Sequence, residues 1–153
     1  DSPPIGLYLA LLAYSLDNEE TEQLISYLRL PRSLTQTLRD TISLKTKLKL
    51  LADPKLTSGG IYSFLRNYSL QAILANLLAS ESPLTRQHIR LFLDKLRHVK
   101  TALTGDDLIK MGVTPGPRIK EILKLLHEAK LNGKVTTKQE EKKLLEKWVE
   151  RKN

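Results

Sequence analysis

The sequence predicts an all-α protein, an irregular bundle of about seven to eight helices with a helix-hairpin-helix-like corner near the C-terminal third. Two patterns carry the prediction. No stretch alternates apolar and polar residues with strand-like β-branched enrichment, and helical spacing with capping signals recurs from end to end. Size is the third observation: 153 residues, 41% hydrophobic and 27% charged, suffice for one domain or two small ones with a buried core.

Ser2 followed by Pro3 and Pro4 caps and opens a helix running to about Leu16. Asp17 with Glu20 forms a capping box for a helix ending near Leu30, where Pro31 stops it. Ser33 with Gln36 repeats the device. Leu34, Leu38, Ile42, Leu48 and Leu51 then mark a helix that closes before Asp53-Pro54, with Lys45 interrupting its apolar stripe. Thr57-Ser58-Gly59-Gly60 reads as a loop or the start of a helix over Ile61 to Arg66, and Ser69 caps a helix through Ala79. Ser82-Pro83 opens a helix carrying Leu84, Leu91, Phe92 and Val99.

Thr101 to Thr104 reads as a break between two helical subdomains, 1–100 and 101–153. Beyond it Thr104 with Asp107 caps a helix to about Met111. The Gly112-Val113-Thr114-Pro115-Gly116-Pro117 turn leads into a helix from Arg118 to Lys130, terminated by Asn132-Gly133. Thr136 with Gln139 caps the last helix, whose Leu144, Leu145, Trp148 and Val149 can dock on the rest.

Composition excludes several classes. Zero cysteines remove disulfides, thiolate zinc sites and cysteine nucleophiles. No apolar run reaches the roughly 20 residues that span a bilayer, and no basic residue precedes Ile5 to Leu16 as in a signal peptide, so a cytoplasmic protein without a membrane partner is expected. The abrupt Asp1-Ser2-Pro3-Pro4 opening, without an initiator methionine, reads as a fragment of a longer protein. Charge is uneven: residues 1–28 hold five acids and no lysine or arginine, leaving 25 basic residues against 12 acids, a net +13, over the remainder. Such a density attracts polyanions and favours nucleic acid or acidic lipid as partner.

Candidates for catalysis are few. His88, His98 and His127 make no metal-ligand spacing, and a lone helical histidine is ordinarily a packing or surface residue. Adjacent Asp106 and Asp107 point about 100° apart on a helix, too divergent to share a magnesium ion, and suit the positive end of the helix dipole instead. No catalytic, metal or cofactor residue is therefore assigned.

The basic residues are more informative. Gly112 can take a left-handed C-cap geometry, and Gly116 lets a phosphate approach the backbone N–H groups that open the Arg118 helix. On that helix Ile119, Ile122, Leu123, Leu126 and Ala129 form the buried stripe, with Lys120, Lys124 and His127 on an adjacent exposed face. Arg86, Arg90 and Arg97 fall within about 40° of one another if the Ser82 helix runs on, giving a guanidinium stripe suited to phosphate. Arg29, Arg32, Arg39, Lys45, Lys47 and Lys49 add a third basic stretch. The expected RNA-binding residues are thus Arg86, Arg90, Arg97, Gly112, Gly116, Arg118, Lys120 and Lys124. Aromatics are sparse, and Tyr62, Phe64 and Tyr68 cluster where packing explains them, so contacts to phosphates and sugars of double-stranded RNA are expected over base stacking.

The run Arg97-His98-Val99-Lys100, Leu103-Thr104-Gly105-Asp106-Asp107-Leu108-Ile109, Gly112, Pro115-Gly116-Pro117, Ile119, Ile122-Leu123, Ala129 and Asn132-Gly133 resembles the C-terminal region of class II tRNA nucleotidyltransferases and bacterial poly(A) polymerases. Looser similarity in Leu28 to Arg32 and Ile61 to Leu65 extends the match over most of the chain. Lys120 departs from a glycine common in the family. The resemblance implies a helical body and tail that grip the acceptor-TΨC arm of tRNA while a head domain adds C or A to the 3′ end. By carry-over, the Gly112 to Arg118 corner and the helix after it would face RNA.

The family's Gly-Ser and Asp-x-Asp head motifs and its Glu-Asp-x-x-Arg nucleotide-selecting pattern are absent from these residues. The resemblance therefore implies a chain without transferase activity of its own, whose parent uses Mg and ATP or CTP through the head. Expected partners are a tRNA or tRNA-like 3′ end, the parent's upstream catalytic domains, and a possible second copy in a homodimer. The alternative is a helical protein-interaction or dimerisation module, docked through the nearly uncharged Ile5 to Leu16 helix. DNA binding through the hairpin corner is a third reading, and independent catalysis ranks last.

Overall fold

Residues 4–151 are described by the computed structural model, and the cap expected at Ser2 and Pro3 lies outside them. These residues form nine α-helices and two short 3-10 turns, and no strand. The count is one above the expected seven to eight, and Gly59 and Gly60, read as a loop or the start of a helix, lie inside one.

The first helix, α1 (Ile5–Ala13), stops before Leu16, where the Leu16 N–H closes a tighter turn on Ala13 O at 2.9 Å, and the Tyr14 carbonyl accepts the Lys45 ammonium. Lys45 Nζ also lies 4.6 Å from the Tyr14 ring centroid, so the interruption of the apolar stripe is a cation–π anchor. Helix α2 (Asn18–Leu28) opens on the expected box: Asp17 Oδ1 accepts the Glu20 N–H at 2.8 Å and Glu20 Oε1 accepts the Asp17 N–H at 3.2 Å. Helix α3 (Arg32–Lys47) does not use the expected Ser33 cap. It begins at Arg32 behind Pro31, and Gln36 donates its amide to Asp40 at 2.8 Å. Asp40 is buried and also accepts the Ser69 N–H at 2.8 Å, a stronger use of Gln36 than a cap at a solvated end.

After a 3-10 turn (Leu48–Ala52), α4 (Ser58–Leu65) and α5 (Leu70–Ala79) are capped by Thr57 and Ser69. Small residues Gly6, Ala10 and Ala13 let α1 lie close on α3 and α5. Helix α6 (Pro83–Asp94) ends earlier than expected. Lys95 leaves helical geometry at φ −127° and ψ −60°, and Leu96–His98 form a separate 3-10 turn. Arg97 and Val99 are therefore not on α6. Helix α7 (Gly105–Lys110) has the expected Thr104 box, α8 runs Pro117–Leu131, and α9 spans Lys138–Glu150. The last cap is Thr137 with Glu140, one residue beyond the expected Thr136 pair. The Glu140 carboxylate accepts the Thr136 N–H at 2.7 Å, a stronger bond than the Gln139 amide could make.

Three apolar clusters hold these helices. Ala10, Ala13, Ile25, Leu38 and Ala75 join α1, α2, α3 and α5. The middle cluster gathers Leu44, Leu51, Ile61, Ile73, Ile89 and Phe92, and Leu131 from the end of α8 enters it. The third joins Leu108, Val113, Ile122, Leu126 and Leu145 of α7, α8 and α9. Asn132, just past α8, accepts the Gly59 N–H at 2.8 Å, so α8 is fastened to the start of α4 as well as packed beside it.

Candidate nucleic-acid interface

Glycine geometry builds the expected corner. Gly112 turns left-handed at φ 94°, the Val113 N–H donates to Leu108 O at 3.0 Å, and the Gly112 N–H donates to Ile109 O at 3.0 Å. These two bonds make a Schellman stop, with Val113 and Leu108 together in the C-terminal core. Gly116, at φ 130° and ψ −155°, then serves as the N-cap of α8 and Pro117 as its first residue.

The segment between α6 and α7 is tied down by buried polar groups. Fully buried Glu141 of α9 accepts the Ala102 N–H at 3.0 Å and the Leu103 N–H at 3.4 Å. Lys130 of α8 lies 3.8 Å from the same carboxylate and donates to Lys100 O at 2.6 Å. His127 Nε2 lies 2.9 Å from Val99 O, which can only accept, so the proton sits on Nε2. His127 is thus half-buried and occupied as a structural donor, a correction to its expected place on an exposed face. Its ring also meets Tyr62 edge-on at 4.7 Å.

This anchoring forms a cleft of about 520 Å³ lined by Tyr62, Arg66, Arg97, Lys100, Lys124 and His127, among others. Four cations converge there from the end of α4, the 3-10 turn, the following segment and α8. Among the described residues none of the four pairs with a carboxylate. Arg97 Nε donates to Leu93 O at 2.8 Å, which leaves the outer guanidinium nitrogens free for a ligand. Arg66 lies 5.9 Å from the Tyr62 ring centroid. Several unpaired cations over a partly apolar floor attract and orient phosphate oxygens.

Of the residues expected to bind RNA, the cleft brings together Arg97 and Lys124. Lys120 is exposed one turn from Lys124 on the same face of α8. Arg118 lies on the other flank, beside Trp148 and Arg151. Gly112 and Gly116 are exposed in the corner. Arg90 is exposed on α6 and Arg86 half-buried, its Nε enclosed without a partner, and neither lines the cleft. The guanidinium stripe is broken because α6 ends at Asp94. Sequence reasoning missed Arg66 and Tyr62, which lie more than 30 residues from Arg97 and share no helix with it. Lys100 carried a signal, since it closes the Arg97-His98-Val99-Lys100 run.

Comparison with known families decides what this corner and cleft belong to. The model of tRNA nucleotidyltransferase domain 2 matches residues 7–149, nearly the whole chain. The chain belongs to this family. The A-adding tRNA nucleotidyltransferase of Geobacter sulfurreducens is 36% identical over 84 residues, 55% of the chain and 10% of that protein. The A-adding tRNA nucleotidyltransferase of Deinococcus radiodurans is 41% identical over 49 residues, 31% of the chain and 11% of that protein. The aligned stretches thus span about a tenth of these relatives. No solved structure matches the chain.

Among the described residues, no group of three or more histidine or carboxylate side chains converges. Asp107 is occupied: its carboxylate accepts the Thr104 N–H at 2.9 Å and the Thr104 hydroxyl at 3.0 Å, bonds that hold its pKa below the ordinary value. No helix among the described residues is long and apolar enough to cross a membrane.

Proposed function

We propose that this chain is the RNA-gripping body and tail of an enzyme that extends RNA 3′ ends, holding the acceptor-TΨC arm of tRNA by phosphate contacts. Chemistry belongs to a head domain outside these residues, which uses magnesium and ATP or CTP. The observation that supports the reading is the cleft, where Arg66, Arg97, Lys100 and Lys124 converge without carboxylate partners on a face held by His127 and Lys130. A cleft of four cations, with His127 committed to Val99 O, suits the binding of a polyanion. The A-adding activity named for both relatives makes adenosine addition the parent's favoured reaction.

Fluorescence anisotropy with a labelled tRNA minihelix tests this. Neutralising about four phosphates gives a log–log salt slope near −3 to −4, and Arg97→Ala and Lys124→Ala each remove about one unit. A duplex DNA competitor of equal length displaces the minihelix poorly. Salt-insensitive binding, or variants that bind as the parent does, would refute the reading.

A second reading, a protein-interaction module, has one observation in its favour. Ile5 (66% exposed) and Leu12 (68%) leave an apolar strip of α1 open to solvent. Light scattering separates the two: a concentration-dependent dimer abolished by Leu12→Glu and indifferent to RNA favours the second.

A further inference from the structure

We propose that the cavity between α8 and α9 receives an unpaired nucleobase of the bound RNA, its phosphate held by Arg118 and Arg151. The inference rests on the RNA reading above but concerns a different surface. On an axis of 100° per residue, Arg118, Glu121, Ile122 and Leu125 lie across α8 from Lys120, Lys124 and His127, roughly 150° around the helix. The cavity and the basic cleft therefore flank α8 on opposite sides of its buried stripe.

The cavity measures about 340 Å³. Buried Ile122 and Leu145 form its floor, and the walls are Trp148, Leu125 (50% exposed) and Val149 (40% exposed). A base fits these walls by stacking on the indole and apolar side chains. The charges at the mouth choose among apolar ligands. Two guanidiniums, Arg118 and Arg151, call for an anion, and a single carboxylate, Glu121, can accept from an exocyclic amine. A nucleotide carries an aromatic face, an anion and such an amine in one unit. An acidic amphipathic helix would instead need a groove with anchor sites spaced over several turns.

Access is open. A side chain built at Gly116 would meet nothing within 4 Å, so a strand leaving the cleft past Lys120 can cross the start of α8 to reach Arg118. The helix is only about 10–12 Å across with its side chains, a span that a few nucleotides cover.

Trp148 is the sole tryptophan, so its fluorescence reports on this cavity alone. The full chain is titrated at low salt with a short single-stranded oligoadenylate and with a blunt RNA duplex of equal length. The expected result is saturable quenching by the single strand and little by the duplex. Leu125→Glu and Arg118→Ala, both at exposed positions, each weaken it about tenfold, the scale of losing one stacked base. Far-ultraviolet circular dichroism of both cavity variants verifies the fold. Quenching that is equal for the duplex, or unchanged in both cavity variants, overturns the inference. So does an absence of quenching while the minihelix still binds by anisotropy, a result that leaves the RNA reading intact. Loss of both signals overturns both. A Trp148 response to an acidic amphipathic peptide but not to RNA makes the cavity a protein-docking groove and also overturns the proposal.

Discussion

At the scale of single residues, the carboxylate caps give the chain an acid-sensitive fold. Hydrogen bonds from the Thr104 backbone and hydroxyl hold the Asp107 carboxyl below its usual range, and the Thr136 backbone N–H does the same for Glu140. A depressed carboxylate pKa contributes stability that is complete above the unfolded value, near 4, and is lost as pH falls through the lower folded value. Melting temperature should therefore hold steady from neutral pH to about 5 and fall below 4. Asp107→Asn should flatten part of that fall, as read by circular dichroism melts across the range. Salt bridges matter less, since Arg39–Glu22 at 2.8 Å is half exposed on both sides. Both histidine donors are local in effect. His88 Nδ1 lies 2.7 Å from Leu51 O inside the core, and His127 fixes Val99 at the lip of the cleft.

At the scale of elements, function depends on how helices stop and restart. Gly116 sits in a backbone region nearly confined to glycine, with open space around it. Gly116→Ala should therefore cost about 1–3 kcal/mol in urea unfolding through backbone strain alone, with no clash to relieve. Glu141 decides a different junction. Its carboxylate holds the Ala102 and Leu103 N–H groups, so Glu141→Ala should destabilise by about 1–3 kcal/mol for the donors it strands. The same variant should also weaken minihelix binding, because Lys130 bridges Glu141 to the Lys100 carbonyl beside the cleft. Anisotropy at a temperature where the variant remains folded checks this second effect. Start and stop signals were legible where they were local: Asp17 with Glu20, Thr104 with Asp107, and the Gly112 and Gly133 turns read directly from residue spacing. The end of α6 was not, because nothing between Asp94 and Leu96 breaks a helix by composition.

At the scale of the whole molecule, the chain joins an acidic beginning to a strongly basic remainder, and salt should act on binding far more than on folding. Raising salt from low to physiological should weaken minihelix binding by orders of magnitude while leaving the urea midpoint nearly unchanged. A midpoint that moved in step with affinity would mean that the cations hold the fold and not a ligand. The amino-acid sequence by itself determined the all-helical class, the Asp17, Thr57, Ser69, Ser82 and Thr104 caps, the glycine-proline corner and the family, because these depend on residues within a few positions of one another or on a motif in fixed order. Tertiary structure alone decided which cations meet. Arg66, Arg97, Lys100 and Lys124 converge because Glu141, Lys130 and His127 tie three separated segments together, while Arg118 is turned to the far flank of the helix that carries Lys124. Helical periodicity orders side chains only within one helix, and packing between helices sets where those helices lie.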